Sequence, residues 1–221
     1  MIRGCRSAVL FALLFAACDG GSADPATDAD TAAAESSTVS TQPAPAIAMI
    51  RPDGIGDVTR GMTIGQLRAA LPAGTTLSQP RVFMVDINAM TVARGRDTLY
   101  HILIPTGEPS SDDTPINLVG TMNDAFRTAE GVGPGTTLAD AARIYGPPRL
   151  SYNTNDESRE YATFPNAPPS LLMRVTPSIE DGVFAGVYRT EGEYNQTTEY
   201  DPAATIAFVM VDLGHTPGDT Q

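Results

Sequence analysis

The apolar positions of this chain take up a helical period twice, and the changes mark its elements. After Gly61-Met62-Thr63, the residues Ile64, Leu67 and Leu71 recur at three- and four-residue spacing. After Gly135-Thr136-Thr137, the residues Leu138, Ala141, Ile144 and Tyr145 do the same. That spacing lines up side chains on one face of a helix. Each helix is predicted to open at a threonine, Thr63 or Thr137, whose hydroxyl can take a free N–H of the first turn. Pro72 ends the first helix, and Gly146-Pro147-Pro148 ends the second. Elsewhere the pattern is that of strands. They are expected at 81–87, 90–94, 98–104 and 116–122, then at 149–152, 158–164, 171–175, 183–189 and 205–213. The stretch 98–104 is apolar on both faces, which marks a central strand. Gly95-Arg96-Asp97 and Glu180-Asp181-Gly182 supply turn chemistry. The expected fold class is α+β, over residues 48–213: two tandem units, each a short helix followed by antiparallel β-strands.

The two units share a further echo, Gly54-Ile55-Gly56 against Gly131-Val132-Gly133. A Gly-x-Thr opening, a short helix and a meander, given twice, resembles the tandem repeats of the β-lactamase inhibitor protein family. It also resembles the small lipoprotein subunit of the outer-membrane β-barrel assembly machine. The match covers about a dozen residues per unit, and the Gly before Pro after the helix is present only as Gly146-Pro147. The stretch from Arg127 to Thr136 is similar to a group of secreted bacterial proteins without assigned activity. The first resemblance implies protein binding through an exposed sheet face.

The N-terminus departs from both periods. Arg3 and Arg6 precede an uncharged apolar run, Ala8 to Ala17, that is ten residues long. As helix it would reach about 15 Å, half a bilayer core. A basic start and a short apolar core form a secretory signal pattern, expected to cover residues 1–17. The run ends Phe15-Ala16-Ala17-Cys18, which resembles a bacterial lipobox. That resemblance implies cleavage before Cys18 and a diacylglyceryl group on its thiol. Several acyl chains hold a protein to a membrane where one holds only marginally. Residues 18–47 carry five acids, no base and no aromatic residue. Such a stretch buries too little surface to offset its ordering entropy. It reads as a disordered tether with an r.m.s. reach of about 30 Å. Residues 214–221 read as a loose tail. The expected location is the bacterial cell envelope, lipid-anchored and facing the periplasm or the exterior.

Charge and cysteine narrow the function. The chain has 14 basic residues, all Arg, against 26 acids, for a net charge of −12. It falls further when Arg3 and Arg6 leave with the leader. Nucleic-acid binding needs a basic surface, so that class is excluded. Cys5 and Cys18 are the only cysteines. The folded region therefore has no disulfide, thiol nucleophile or Cys-ligated metal.

The remaining candidates are few. The Gly-rich turn 131–137 opens a helix and could cradle an anion, but it lacks the dinucleotide spacing, and a P-loop needs a lysine the chain does not have. It reads better as a tight turn. His101 and His215 are far apart and form no zinc pattern. Ser151 or Ser158 with His101 lacks the surroundings of a nucleophile elbow. Asn153, Asn155, Asp156 and Glu157 make an oxygen-rich turn that could suit Ca2+, although an EF-hand loop is absent. Glu191, Glu193, Glu199 and Asp201 crowd another acidic segment. Six of seven tyrosines lie at or after residue 145. Tyr152, Tyr161 and Tyr188 are the expected partner-binding residues, suited to an Arg-bearing partner by cation–π contact. No residue stands out as catalytic. The sequence thus favours a non-enzymatic, membrane-tethered module that binds an envelope protein; a calcium-binding or hydrolytic envelope enzyme is the alternative.

Overall fold

The computed structural model describes residues 48–178, 182–190 and 192–214. The expected leader, the Cys18 anchor, the tether, His215, Glu191 and most of the tail lie outside them.

The described residues are mainly β, with two short helices and strands that pair antiparallel with one exception. A small sheet joins β1 (Ala48–Arg51) to β2 (Gly54–Ile55) and, in parallel, to β8 (Phe126–Arg127). The large sheet has ten strands. One half holds β3 (Thr75–Leu77), β4 (Arg81–Met84), β5 (Ile87–Arg94), β6 (Asp97–Pro105) and β7 (Leu118–Thr121). The other holds β9 (Arg149–Asn153), β10 (Glu160–Thr163), β11 (Leu171–Thr176), β12 (Tyr194–Thr197) and β13 (Thr205–Asp212). Their order is β12-β9-β10-β11-β13-β7-β6-β5-β3, with β4 also on β5. The last strand, β13, thereby joins the halves: it pairs with β11 on one side and β7 on the other.

The helices are α1 (Ile64–Ala70) and α2 (Leu138–Tyr145). Both open at the expected threonines. Thr63 Oγ1 accepts from Gln66 N at 3.3 Å, and Gln66 Oε1 accepts from Thr63 N at 2.9 Å. Thr137 Oγ1 accepts from Asp140 N at 3.1 Å and donates to Asp140 Oδ2 at 2.7 Å. Gly146 closes α2 at φ +84°, a conformation that glycine adopts without strain. Ile64 and Leu67, then Leu138, Ala141 and Tyr145, are buried. Ile144 departs from the expected apolar face and points to solvent.

Alternation along the strands builds two cores. Met90, Val92, Tyr100, Ile102, Val119, Leu150, Met173 and Val209 share the main core with both helices and the small sheet. On the opposite sheet face lies a smaller cluster of Ala89, Leu103, Phe208 and Met210. Strand β6 feeds both, as expected of a central strand. In β13 the pairing steps over Ala207: Arg174 faces Phe208 but Val175 faces Ile206. This bulge turns Ile206 into the main core while Phe208 stays on the other face.

Three strand expectations change. The break between the first two strands falls at Val85-Asp86, a two-residue hairpin, not at Asn88-Ala89. No Asn-Gly or Asp-Gly marks that turn, so local chemistry did not reveal it. Residues 183–189 are not a strand: only Gly186 forms a bridge, to Tyr200. The partner of β9 at that edge is instead β12, a polar segment with no apolar alternation.

Candidate functional site

The segment 182–190 is a strap across the end of the main-core face, held by one buried carboxylate and by main-chain bonds from Val187 N to the Glu199 carbonyl and from Asp201 N to the Ala185 carbonyl, both at 2.8 Å. Glu160 pairs with Tyr152 across β9 and β10, so both side chains project on the same face. Glu160 is only 5% exposed. Its Oε2 accepts from Ala185 N at 2.7 Å, and its Oε1 accepts from Gly186 N at 2.9 Å and Tyr188 Oη at 2.7 Å. A buried carboxylate is tolerable when its oxygens are met by donors in this way. The same contact, with burial as the larger cause, pushes the Tyr188 phenol well above its usual range.

Aromatic packing completes the attachment. Tyr152 stacks on Phe184 with centroids 4.2 Å apart and meets Tyr188 edge-on at 4.7 Å. Phe184 and Tyr188 are 5.4 Å apart. With these rings turned inward, the strap turns Val183 and Val187 outward, 79% and 50% exposed. Beside it runs β12, the last strand of the sheet, with Tyr194 58% exposed. The structure thus brings Tyr152 and Tyr188 together as half-buried packing residues.

Tyr161 is elsewhere. It neighbours Glu160 in β10 and so lies on the opposite face, against the smaller cluster with Phe83, Met84 and Ile87. The three tyrosines therefore form no single row. The side chain of Arg159, only 6% exposed, reaches from just before β10 to the β4–β5 hairpin. Its Nη2 meets Asp86 Oδ1 at 2.8 Å, and its Nε meets Glu157 Oε2 at 3.5 Å. The Arg159 guanidinium holds the Asp86 carboxyl below its usual range. Phe83 lies 4.9 Å from His101 and 5.8 Å from Phe208, so the hairpin covers part of this face.

The oxygen-rich turn is internally engaged. Asn153 Oδ1 accepts from Asn155 N at 2.8 Å, capping the 3-10 turn Thr154–Asp156. The Asp156 carbonyl accepts from Arg159 Nε at 2.9 Å, and Glu157 faces Arg159. Among the described residues no three His, Cys, Asp or Glu side chains gather as a ligand set. In the other acidic segment Glu199 pairs with Arg189, and Asp201 accepts from Ser178 and from Ala203 N.

The Gly-rich turn spends its donors internally: Gly133 N on Thr136 Oγ1, Gly135 N on the Ile206 carbonyl and Leu138 N on the Ala204 carbonyl. It is a tight turn stitched to β13. His101 is 6% exposed, and its Nδ1 lies 3.1 Å from Thr91 Oγ1. Burial lowers its pKa, which keeps the ring neutral. Ser151 sits five strands away from His101 in the sheet order, so no triad forms there.

Glu160, Phe184 and Arg159 were missed as organising residues. Glu160 carried one legible sign: it shares strand parity with Ala162 on an inward face. The reach of Arg159 across 73 residues to Asp86 had none. In comparisons with family models, curated proteins and solved structures, nothing matches this chain.

Proposed function

We propose that this protein is a membrane-anchored lipoprotein of the bacterial envelope, whose folded domain is a non-enzymatic module that binds another envelope protein. The observation that carries the reading is the pinned strap. Val183 and Val187 are held outward by the Glu160 contacts, and Val187 is tied through its N–H to Glu199, just past β12, which with Tyr194 is the edge strand among the described residues. Outward apolar side chains on a fixed segment suit a protein interface, because their ordering cost is already met in the free molecule. An open sheet edge adds main-chain donors and acceptors for a partner strand. Tyr152 and Tyr188 serve this surface by positioning the strap. The acidic charge favours a partner with exposed arginine or lysine.

The tandem reading belongs to the same proposal. Ile55 and Val132, the centres of the two Gly-x-Gly echoes, are both fully buried. An added Cβ at Gly54 would lie 1.9 Å from the Val58 carbonyl oxygen, and one at Gly133 would lie 2.1 Å from that of Phe126. These two glycines stand at opposite ends of their echoes, since Gly54 corresponds to Gly131 and Gly56 to Gly133, so the support for two units of one plan is the matching burial of Ile55 and Val132 and the paired Thr63 and Thr137 caps.

Two experiments test the proposal. Cys18→Ser releases the protein from membranes if Cys18 carries lipid; unchanged fractionation refutes the anchor. Photo-crosslinking residues placed at positions 187 and 194 in intact cells yield one shared protein adduct, while position 144, exposed on α2, does not. Equal adducts at all three positions, or none at 187 and 194, refute the strap surface.

A further inference from the structure

A second surface lies away from the strap, where the large sheet comes apart. Strands β6 and β7 pair only through His101↔Gly120 and Ile102↔Val119. Continued in register, the next rungs would be Leu103↔Leu118 and Ile104↔Asn117. Neither forms, although β6 runs on to Pro105 paired with β5, and Leu118 stays paired with Asp212 of β13. Leu103, Ile104, Asn117 and Leu118 instead line the walls of a cleft of about 750 Å³.

Its chemistry is apolar inside and acidic at the mouth. Ile102, Ile116 and the exposed Leu172 add to the apolar lining. Glu108 and Asp113 stand at the rim. Neither side chain makes a hydrogen bond or ion pair among the described residues, whereas neighbouring Asp112 is taken by Arg68 at 3.4 Å. The volume falls in the range of ordinary ligand clefts, about 300–1,000 Å³. The unformed rungs distinguish it from a simple pocket. They leave β6 without a strand along one side, so an extended chain entering the cleft would lie beside it as a strand does.

We propose that this cleft receives an extended apolar segment of a partner chain that carries lysine or arginine. Its apolar side chains would fill the space among Leu103, Leu118 and Leu172, its main chain would take up the open side of β6, and its cations would meet Glu108 and Asp113. The site is separate from the strap and stands whether or not the strap binds a partner.

The test uses the full chain carrying C18S, so that no detergent competes for the cleft. The probes are fluorescein-labelled ten-residue peptides alternating valine with lysine or valine with glutamate, and dodecyltrimethylammonium as an apolar cation without a peptide chain. Anisotropy reports affinity, and amide NMR shifts report location. The valine–lysine peptide is expected to bind, to shift the amides of Leu103, Ile104 and Leu118, and to weaken with salt. The E108Q/D113N pair weakens it about tenfold, from two rim charges each contributing modestly. L172K, at an exposed position of β11, weakens it as well. E193Q, at an exposed acid beside β12 and outside the cleft lining, leaves affinity unchanged.

Three results overturn the proposal. One is equal binding of the valine–glutamate peptide. Another is binding of the lysine peptide that neither E108Q/D113N nor L172K alters, which assigns it to acidic surface in general. The third is amide shifts at the cleft with the alkylammonium only, which makes it a small-molecule site.

Discussion

Replacing Glu160 by alanine removes three accepted hydrogen bonds at once, from Ala185 N, Gly186 N and Tyr188 Oη. A hydrogen bond to a charged group contributes about 1.5–3 kcal/mol, and a buried donor left without a partner costs about 1–3 kcal/mol. If the strap stayed in place, the loss would reach several kcal/mol. The chain has a cheaper response: the strap lifts and its two N–H groups bond to water. Lifting also forfeits the packing of the partly buried Phe184 and Tyr188 on Tyr152, the burial of Ala185 and the main-chain bonds of the strap to Glu199 and Asp201. The expected loss of global stability is therefore about 2–4 kcal/mol, in the ordinary range for breaking a buried polar network. Glu160→Gln is intermediate, because one amide oxygen still accepts while the new NH2 faces a donor. Urea denaturation measures the global term. Hydrogen exchange measures the local one: the amides of Ala185 and Gly186 lose protection in Glu160→Ala, while those of β6 keep theirs. If both strap amides stay as protected as in the parent, Glu160 does not hold the strap and the argument for an organised Val183/Val187 surface fails.

Thr63→Ala and Thr137→Ala each remove a helix cap and lower stability by about 1 kcal/mol, read from denaturation midpoints; no loss in either contradicts the capping role. Gly54→Ala and Gly133→Ala each drive a methyl group into a main-chain carbonyl, and each is expected to cost about 2 kcal/mol or more, unlike Gly74→Ala, whose added carbon meets nothing and which suffers only from its positive φ. Burial lowers the pKa of His101 below its usual 6.5. The unfolded chain then binds the proton more readily, so this group's stabilisation is complete above that value and is lost as pH falls through the lower folded value. His101→Gln therefore shows a smaller drop in melting temperature than the parent between about pH 7.5 and about pH 5.5; an identical drop refutes the assignment.

The sequence determined the parts whose causes are local. A threonine before a three-four apolar spacing is enough to place a helix start, because the cap and first turn involve neighbours in the chain. Thr63 and Thr137 consequently cap α1 and α2 where expected. Apolar residues on both faces of 98–104 likewise announced a central strand, since only a strand covered on each side can hide them. The tyrosines could not be sorted in the same way. Tyr152 and Tyr161 differ in strand parity, and which parity faces the main core depends on the register of β10 against β9 and β11. The strap shows the limit most plainly. Residues 183–189 have the composition of a strand, yet Glu160, 25 residues before Ala185, takes the N–H groups of Ala185 and Gly186, and only isolated main-chain bonds to Glu199 and Asp201 form beside them. The cleft between β6 and β7 is tertiary in origin too. Leu103 and Leu118 look like one more rung of a ladder, and only the tertiary structure shows Leu103 following β5 and Leu118 following β13 with no pairing between them. Local patterns fix what a segment can be, but pairing partners distant in the chain decide which of its faces and edges remain open.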